Sequence, residues 1–431
     1  MEITCLKMKD LTVAIADNHK EYRYILPGET FKIKEASQIK IEASDIIKAS
    51  PDRVKVICPI FYACGGCDYL HMSYDAQLKL KESHVRHLYE QEKLGSNFLP
   101  IIKNDEPFYY RHKVVASATT HKLKLRLGLY QEGSKKVIPF TKCFIQDQDA
   151  NQVLETLEVL FNTYKIPAYD IDSGKGIVKH VLIRKSYHYQ KMLVTIVTQG
   201  HLLPNAKKIA QDLIKKHDRV ETVVQNVHHK KTHLVLLDDE KIIYGKGYIE
   251  DKIDDMMFRL SSKSFFQVNP VQMIKLYQIA LDQANIKKTD VILDTYSGIG
   301  TISLLAAKRA KHVIAVEANQ VSHQDALNNK RVNHVTNLTC IHDDVTSFMR
   351  NYQEKVDVLI MDPTREGASK EFLDLVLKVK PKKIIYISCE PKTQVRDIKS
   401  LSKNYKVDLI QAVDMFSQTQ HVESITLLSL K

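Results

Sequence analysis

Short apolar segments alternate regularly with segments of helical periodicity from about residue 256 to the C-terminus. The apolar segments, of which the first five each precede a helical pattern, are DVILDTYSG, HVIAVEAN, LTCIHDDV, VDVLIMDP, KIIYISCEP, VDLIQAV and SITLLSL. Strands that alternate with helices form parallel sheets covered by helices on both faces. We therefore predict an α/β domain over residues 256–431, built on an open, mostly parallel, doubly wound sheet of seven strands.

Polar side chains stand where these predicted strands end. They comprise four carboxylates and a thiol: Asp294, Glu317, Asp344, Asp362 and Cys389. In sheets of this class, ligands bind outside the carboxyl ends of the strands. A single carboxylate there is usually a helix N-cap, but four with a thiol favour a ligand site.

The loop after the first of these strands carries Gly298 and Gly300, which allow the backbone to approach a ligand closely. Glu317 follows Gly298 by 19 residues, where a carboxylate can accept both hydroxyls of a ribose. The loop lacks the third glycine of a dinucleotide-binding fingerprint, and the chain has no phosphate-binding P-loop. An adenosine-type ligand without a pyrophosphate fits better, and S-adenosylmethionine is the candidate.

Cys389 ends a strand two residues before Pro391. A cysteine there is usually a buried small hydrophobe, but a strand-to-helix turn would project its sulfur into the cleft and favour the thiolate. A thiolate beside a methyl donor indicates methylation of a pyrimidine carbon, because thiolate addition at C6 makes C5 nucleophilic. A base must then remove the C5 proton. Glu423, near the start of the last strand, is the candidate; the alternative is a solvated carboxylate at a strand edge.

Three of the seven cysteines fall within the ten-residue run CPIFYACGGC: Cys58, Cys64 and Cys67. This spacing can place three thiolates around one centre, and the two glycines let the backbone fold tightly. An iron–sulfur cluster takes four such ligands, and Cys143, in TKCFIQ, is the candidate for the fourth. Zinc is the alternative, since four thiolates also form a tetrahedral site. A redox Cys-x-x-Cys pair or unligated thiols are the remaining interpretation.

The chain has 63 Lys and Arg against 51 Asp and Glu, a formal net charge of +12. This excess favours a polyanionic partner such as nucleic acid, although a lysine-rich surface alone would give the same sum. No apolar run is long enough to span a membrane. Lys7 and Lys9 interrupt the stretch that a signal peptide would need, so we expect a cytoplasmic protein. Residues 1–55 read as short strands and predict a small β-barrel, and residues 108–255 are mainly strand-like.

Five short motifs occur in a fixed order: Gln267-Val268-Asn269-Pro270, the loop 294–301, Asp362-Pro363-Thr364-Arg365, Ser388-Cys389-Glu390-Pro391 and His421-Val422-Glu423. In this order they resemble the RNA uracil-C5 (m5U) methyltransferase family. The run CPIFYACGGC, together with KCFIQ, resembles the iron–sulfur motif of its branch that modifies 23S rRNA. Tyr110-Arg111-His112-Lys113 and the LPGE of residues 26–29 also match, so the resemblance covers essentially the full chain.

The resemblance implies three domains. Residues 1–55 would be a TRAM-like (OB-like) RNA-binding barrel, and residues 56–255 a mainly β central domain with a [4Fe-4S] cluster. Residues 256–431 would be a Rossmann-like methyltransferase domain, and the helix near residues 77–107 would be able to pack with it.

The same resemblance implies the roles of single residues. The cluster ligands would be the four cysteines at positions 58, 64, 67 and 143. The S-adenosylmethionine site would comprise Gln267, Tyr296, Glu317, Asp344 and Asp362. Cys389 would be the nucleophile and Glu423 the base.

The sequence departs from the family pattern at three positions in the catalytic domain. Thr364 replaces a proline, Glu390 an asparagine and Ser297 a loop cysteine. We expect the charge of Glu390 to raise the pKa of the Cys389 thiol.

The leading hypothesis is a monomeric methyltransferase that modifies C5 of uridine in RNA. The substrate that we expect is 23S rRNA. One alternative is the same reaction on the T-loop of tRNA. Another is a non-catalytic RNA-binding or chaperone protein that keeps the fold.

Overall fold

A computed structural model describes residues 2–230, 232 and 234–431. Its first five strands form an antiparallel sheet in the order β3-β2-β1-β4-β5. They are β1 (Ile3–Met8), β2 (Val13–Ala16), β3 (Glu21–Arg23), β4 (Thr30–Phe31) and β5 (Ile46–Lys48). In the described part of the chain, the edge strands β3 and β5 do not pair with each other. The segment at Lys40 bridges the edge of β3, through backbone hydrogen bonds that join Arg23 to Ile39 and Ile41. Closure of this sheet into the expected barrel stays a prediction.

The middle of the chain forms a second sheet, in the order β13-β12-β11-β10-β7-β8-β9. It follows helix α1 (Tyr74–Gln91) and strand β6 (Phe98–Ile102) in the chain. Its elements are β7 (Lys113–His121), β8 (Lys124–Tyr130), β9 (Val137–Pro139), α2 (Gln148–Thr163), β10 (Val178–Lys185), β11 (Met192–Thr198), α3 (Ala206–Lys216), β12 (Val220–Val227) and β13 (Glu240–Tyr244). All neighbours are antiparallel except β11 and β12, which α3 connects as a crossover helix. Helices α2 and α3 cover one face of this sheet and share its apolar core.

A two-stranded hairpin, β14 (Tyr248–Ile253) and β15 (Met256–Ser261), follows the central sheet. Its inward side chains, including Ile249 and Phe258, belong to the same apolar core as the C-terminal α/β region. The boundary expected between residues 255 and 256 therefore falls in the turn of a hairpin, and β14 packs with the C-terminal region.

The C-terminal region is a helix-covered sheet in the order β18-β17-β16-β19-β20-β22-β21-β6. Its elements are α4 (Pro270–Gln283), β16 (Val291–Asp294), α5 (Thr301–Ala307), β17 (His312–Glu317), α6 (Gln320–Val332), β18 (Leu338–His342), α7 (Val345–Asn351), β19 (Val358–Met361), α8 (Lys370–Val379), β20 (Lys383–Ser388), α9 (Pro391–Leu401), β21 (Tyr405–Val413) and β22 (Glu423–Leu430). Strands β16 to β20 are parallel, and β22 runs antiparallel to β20 and β21. All seven strands expected from the sequence are present.

An eighth strand, β6, extends this sheet by pairing in parallel with β21. Its sequence, FLPII, lacks the alternation of a half-buried strand and contains Pro100. Proline is tolerated at a sheet edge, because one side of an edge strand needs no ladder hydrogen bond. The prediction of seven strands missed β6 because this strand lies far upstream of the others in the chain.

Helix α1 also packs on the C-terminal sheet. The hydroxyl of Tyr89 lies 2.8 Å from Oε1 of Gln394 in α9 and 2.6 Å from Oγ1 of Thr426 in β22. Val85 and Tyr89 share an apolar core with Ile398. The range expected for the central domain, residues 56–255, thus contains a helix and a strand that belong structurally with the C-terminal sheet.

Among the described residues, no helix combines the length and apolar character needed to cross a membrane.

Candidate active site

Cys389 and Glu423 meet at one edge of the C-terminal sheet. Strand β20 ends at Ser388, one residue before the cysteine, and β22 begins at Glu423. The two strands are antiparallel, and Ser388 pairs with Ser424. The start of β22 therefore lies at the carboxyl end of β20, which places the proposed base beside the proposed nucleophile. Asp362, directly after β19, reaches the same edge.

Burial dominates the electrostatics of the cysteine. It raises the pKa of the Cys389 thiol to about 11, and the charges of Glu423 and Asp362 act in the same direction. The positive charge of Arg365 opposes them. The expectation of a thiolate stabilised by the helix N-terminus is therefore wrong for this state of the protein. The neighbouring carboxylates that raise the pKa are Glu423 and Asp362 rather than the expected Glu390.

Glu423, which is buried, and Asp362, which is half-buried, form a pair of carboxyl groups at this edge. Burial raises the pKa of Glu423 to about 7, and Arg365 partly offsets this. Burial and the charges of Glu423 and Asp294 raise the pKa of Asp362 well above its ordinary range. Two adjacent carboxyls cannot both ionise cheaply here, so the pair retains a proton near neutral pH. Within the described residues, Oε2 of Glu423 is buried and has no hydrogen-bond partner.

The glycine-containing loop after β16 has the form that a ligand site requires. Gly298 and Gly300 have positive φ angles of 55° and 81°. No atom lies within 4 Å of the position that a Cβ of Gly298 would occupy. Glu317, at the end of β17, accepts hydrogen bonds from the amides of Gly298 at 2.8 Å and Asn319 at 2.7 Å. Its carboxylate thus lies against the loop.

Tyr296 belongs to this loop, and Asp344 stands between β18 and α7. Asp344 caps α7 by accepting from the amides of Thr346 and Ser347, both at 3.0 Å, which is the ordinary role of a carboxylate at a strand-to-helix turn. Burial raises the pKa of Tyr296 to about 12, and the charge of Asp344 acts in the same direction.

Gln267 lies in the turn between β15 and α4. The next residue, Val268, accepts a hydrogen bond at 2.8 Å from the amide of His112, which holds this turn against the start of β7. Asn269 caps α4 by accepting from the amide of Gln272 at 3.2 Å. The described contacts thus position the turn, whereas the predicted role of Gln267 itself stays a prediction.

Three residues complete the cluster without a predicted role. Arg365 acts on Cys389 and Glu423 as described. Tyr277, from α4, is buried, and the charges of Asp362 and Glu423 help to raise its pKa well above the usual range. Ser303 donates a hydrogen bond to Asp294, whose pKa burial raises to about 7. Arg365 belongs to a motif visible in the sequence, whereas Tyr277 and Ser303 occur at helix positions that look like ordinary core.

The four cysteines expected to bind a cluster line one cavity, together with Phe61, Leu70 and Phe144. They are Cys58, Cys64, Cys67 and Cys143, and they come from two separate segments. Burial raises the pKa of each of these thiols, and the charge of Arg111 lowers those of Cys67 and Cys143. In the described part of the chain, no group of three or more His, Cys, Asp or Glu side chains has the geometry to hold a single metal ion. The structure therefore gathers the four thiols but does not establish a metal site.

Comparison with known proteins agrees with this geometry. Residues 74–431 match the family model described as tRNA (Uracil-5-)-methyltransferase. Relatives described as uncharacterized RNA methyltransferases include one from Halalkalibacterium halodurans, 36% identical over 94% of this chain and 91% of the relative. Another, from Oceanobacillus iheyensis, is 36% identical with the same coverage.

Among solved structures, the Pyrococcus abyssi tRNA (uracil-54, C5)-methyltransferase in complex with S-adenosyl-L-homocysteine superposes with a TM-score of 0.81. It covers 99% of both chains at 24% sequence identity, which shows a common fold. The family model covers most of the chain, including every motif of the C-terminal region. The chain belongs to the tRNA (uracil-5-)-methyltransferase family of RNA methyltransferases.

Proposed function

We propose that this protein transfers a methyl group from S-adenosylmethionine to C5 of a uridine in RNA, through a covalent adduct with Cys389. The observation that carries the proposal is the convergence of Cys389 and Glu423 at one sheet edge. A nucleophile and a base side by side are the two groups that C5 methylation of uracil requires.

The reaction assigns a separate task to each side chain. The Cys389 thiolate adds to C6 of the uracil, which gives C5 the electron density to take the methyl group. S-Adenosylmethionine supplies that group as a methyl sulfonium. Glu423 then accepts the C5 proton, and the C6–Sγ bond breaks to release 5-methyluridine and the thiolate. Its pKa of about 7 suits a carboxylate that must take up a proton near neutral pH.

Arg365 and Asp362 complete the proposed centre. Arg365 stabilises the negative charge on Cys389, and Asp362 retains a proton with which to hold a polar edge of the base. The methyl donor would lie along the edge formed by Gln267, Tyr296, Glu317 and Asp362, with Asp344 beside it. The target base must leave its stack to reach Cys389, which favours a loop or a single-stranded region of RNA.

RNA containing 5-fluorouridine tests this mechanism. Fluorine at C5 cannot leave as a proton does, so the adduct persists after methyl transfer and survives denaturing electrophoresis. We expect the wild-type protein and Cys340→Ser, which alters a cysteine outside the site, to form the adduct. Cys389→Ser should form none; an adduct in that variant would refute the role of Cys389 as nucleophile.

For the substrate we propose 23S rRNA, on the basis of the cysteine motif. The alternative is tRNA, to which the family description and the name of the P. abyssi protein refer. Mapping 5-methyluridine in tRNA and in 23S rRNA from cells lacking the gene distinguishes them. Loss of the modification from 23S rRNA alone would support the proposal, and loss from tRNA alone would refute it.

We further propose that the four cysteines bind a [4Fe-4S] cluster. All four line one cavity, and thiolates are the ligands that iron–sulfur clusters take. Arg111 would offset part of the negative charge of the ligands.

We also propose that the N-terminal sheet serves RNA binding, as the resemblance of residues 1–55 implies.

A non-catalytic RNA-binding or chaperone protein with this fold is the alternative from another class. Such a protein would transfer no methyl group, and Glu423→Gln would leave its behaviour unchanged. The buried, partnerless Oε2 of Glu423 argues against it, because an unsatisfied buried carboxylate is costly to keep without a use.

A further inference from the structure

Glu423 is reached through a loop of unusual construction. This segment, residues 414–422, joins β21 to β22 and is called the base loop below. Gln418, at its centre, is buried and has a φ of 68°, a strained backbone conformation for a residue other than glycine. Such a conformation persists only where the surroundings enforce it.

Helix α1 enforces the first half of the base loop. The side chain of Gln77 donates to Oε1 of Gln418 at 3.0 Å and accepts from the Gln418 amide at 3.1 Å. Asp414, at the start of the loop, accepts from Lys81 at 2.5 Å and from Tyr74 at 2.6 Å. These groups are buried or largely so, which makes each contact expensive to lose.

The cysteine-bearing segment holds the second half. Asp68, which follows Cys67 directly, and Tyr69 both donate their backbone amides to the carbonyl of Gln418, at 2.9 and 3.1 Å. The Asp68 side chain in turn accepts a hydrogen bond at 2.9 Å from the amide of Gln420. Gln420 precedes Glu423 by three residues. Among the described polar contacts that the cysteine segment makes with the base loop, this one therefore lies nearest to the proposed base.

Asp68 also connects to the N-terminal sheet. Its Oδ1 lies 3.6 Å from a guanidinium nitrogen of Arg23, and Arg23 contacts Glu132 at 2.6 Å in the turn after β8. The carboxylate of Asp68, which itself belongs to the cysteine segment, therefore contacts both the N-terminal sheet and the base loop. None of these contacts is explained by the proposed chemistry alone.

We infer that Asp68 is a positioning residue for the base: by holding Gln420, it fixes the start of β22 so that Glu423 meets the C5 proton of the methylated uracil. The inference rests on the proposed function. It gives the cysteine segment a role in the last step of the reaction, because the residue after Cys67 sets the geometry of the base. Asp68 acts through the backbone and touches no reacting atom.

The chemistry offers a readout that separates positioning from general damage. With ordinary uridine RNA, a protein that lacks a working base still forms the Sγ–C6 bond and transfers the methyl group, but the C5–H bond stays intact. The methylated covalent adduct then accumulates, as we expect for Glu423→Gln. If Asp68 positions Glu423, Asp68→Ala should accumulate the same adduct, although Cys389 and Glu423 are both intact.

The experiment compares full-length variants on uridine RNA with S-adenosylmethionine, by denaturing electrophoresis and by turnover. For Asp68→Ala we expect kcat to fall about 10- to 100-fold, since a displacement near 1 Å at a catalytic group has effects of this size, with KM for RNA unchanged. Asp68→Asn keeps an acceptor oxygen and should restore most of the turnover. Asp75→Ala removes an exposed carboxylate at the start of α1 and should behave as the wild type does.

Adduct formation on 5-fluorouridine RNA measures the folded, competent fraction of each variant, because this adduct needs no base. Should Asp68→Ala fail to fold, Asp68→Ser keeps a polar side chain too short for the bond and must show the same accumulation. The inference is overturned if Glu423→Gln accumulates adduct on uridine RNA whereas the Asp68 variants lose adduct and turnover in parallel, or turn over normally. If Glu423→Gln accumulates none, the assignment of the base itself fails, and the inference fails with it.

Discussion

The guanidinium of Arg365 lowers the pKa of the Cys389 thiol, which burial and the charges of Glu423 and Asp362 raise. The same guanidinium lowers the pKa of Glu423, which burial has raised. One cation therefore favours ionisation of both the proposed nucleophile and the proposed base, whereas burial favours their protonated forms. This residue follows Thr364, which replaces a proline of the family pattern, so the departure leaves the functional cation in place.

Removing this cation should impair the formation of the thiolate. For Arg365→Ala we expect a decrease in kcat/KM of about 10- to 100-fold near neutral pH, because losing a nearby opposite charge raises a pKa by about one to two units. The pH–rate profile should move to higher pH, because the pKa values of Cys389 and Glu423 both rise. Arg365→Lys keeps the charge without the planar guanidinium, so its kcat/KM should lie between those of the wild type and Arg365→Ala. The measurement is single-turnover methyl transfer at several pH values; an unshifted profile for Arg365→Ala would contradict this role.

The wild-type protein should work faster in mildly alkaline solution. The pKa of Cys389 lies at about 11 and that of Glu423 at about 7, and both groups act in their deprotonated forms. Between these two values the thiolate fraction rises about tenfold per pH unit, so kcat/KM should rise with it. Below pH 7 protonation of Glu423 should make the decline steeper. Alkylation of Cys389 by iodoacetamide, followed by mass spectrometry of its peptide, should show the same rise without substrate. Rates independent of pH above 7 would refute the role of Cys389, and a decline below pH 7 no steeper than that above it would refute the role of Glu423.

The α/β region could be predicted because each of its strands is a compact apolar run with its own boundary signals. The run VDVLIMDP, for example, becomes β19 with Asp362 directly after it. Strand β6 could not be predicted in the same way, since its place depends on pairing with β21, more than three hundred residues later in the chain. The strands of the N-terminal sheet were also hard to predict individually, because a strand of two residues has almost no periodicity to detect.

The candidate site divides along similar lines. Cys389 and Glu423 carry reactive groups within motifs, so the sequence indicates them directly. The pKa of Cys389 could not be derived from its motif, because burial, the largest cause of its shift, depends on the whole surrounding fold. Nor could the sequence indicate the contact between Asp68 and Gln420, whose partners are 352 positions apart.

A [4Fe-4S] cluster bound by the four cysteines would give the protein a visible colour. Protein purified without oxygen should be brown and contain iron and sulfide, and Cys67→Ser should lose most of both, because a cluster of this type takes four thiolates. Cys340→Ser, in β18 and outside the cavity, is the matched control and should retain them. Colourless protein with stoichiometric zinc would contradict the cluster. The measurement is iron, sulfide and zinc analysis together with the visible spectrum.

Stability should depend strongly on the buried ion pair between Lys81 and Asp414. Both side chains are almost completely buried, and they contact at 2.5 Å. Lys81→Met leaves Asp414 charged and without its cation, which typically costs about 3–5 kcal/mol. The expected result is a marked fall in the midpoint of thermal unfolding, whereas Lys79→Met, an exposed residue of the same helix, should change it little. In Lys81→Met with Asp414→Asn the uncompensated charge is gone, so part of the loss should be recovered. Equal midpoints for Lys81→Met and Lys79→Met would show that the pair does not hold α1 to the base loop.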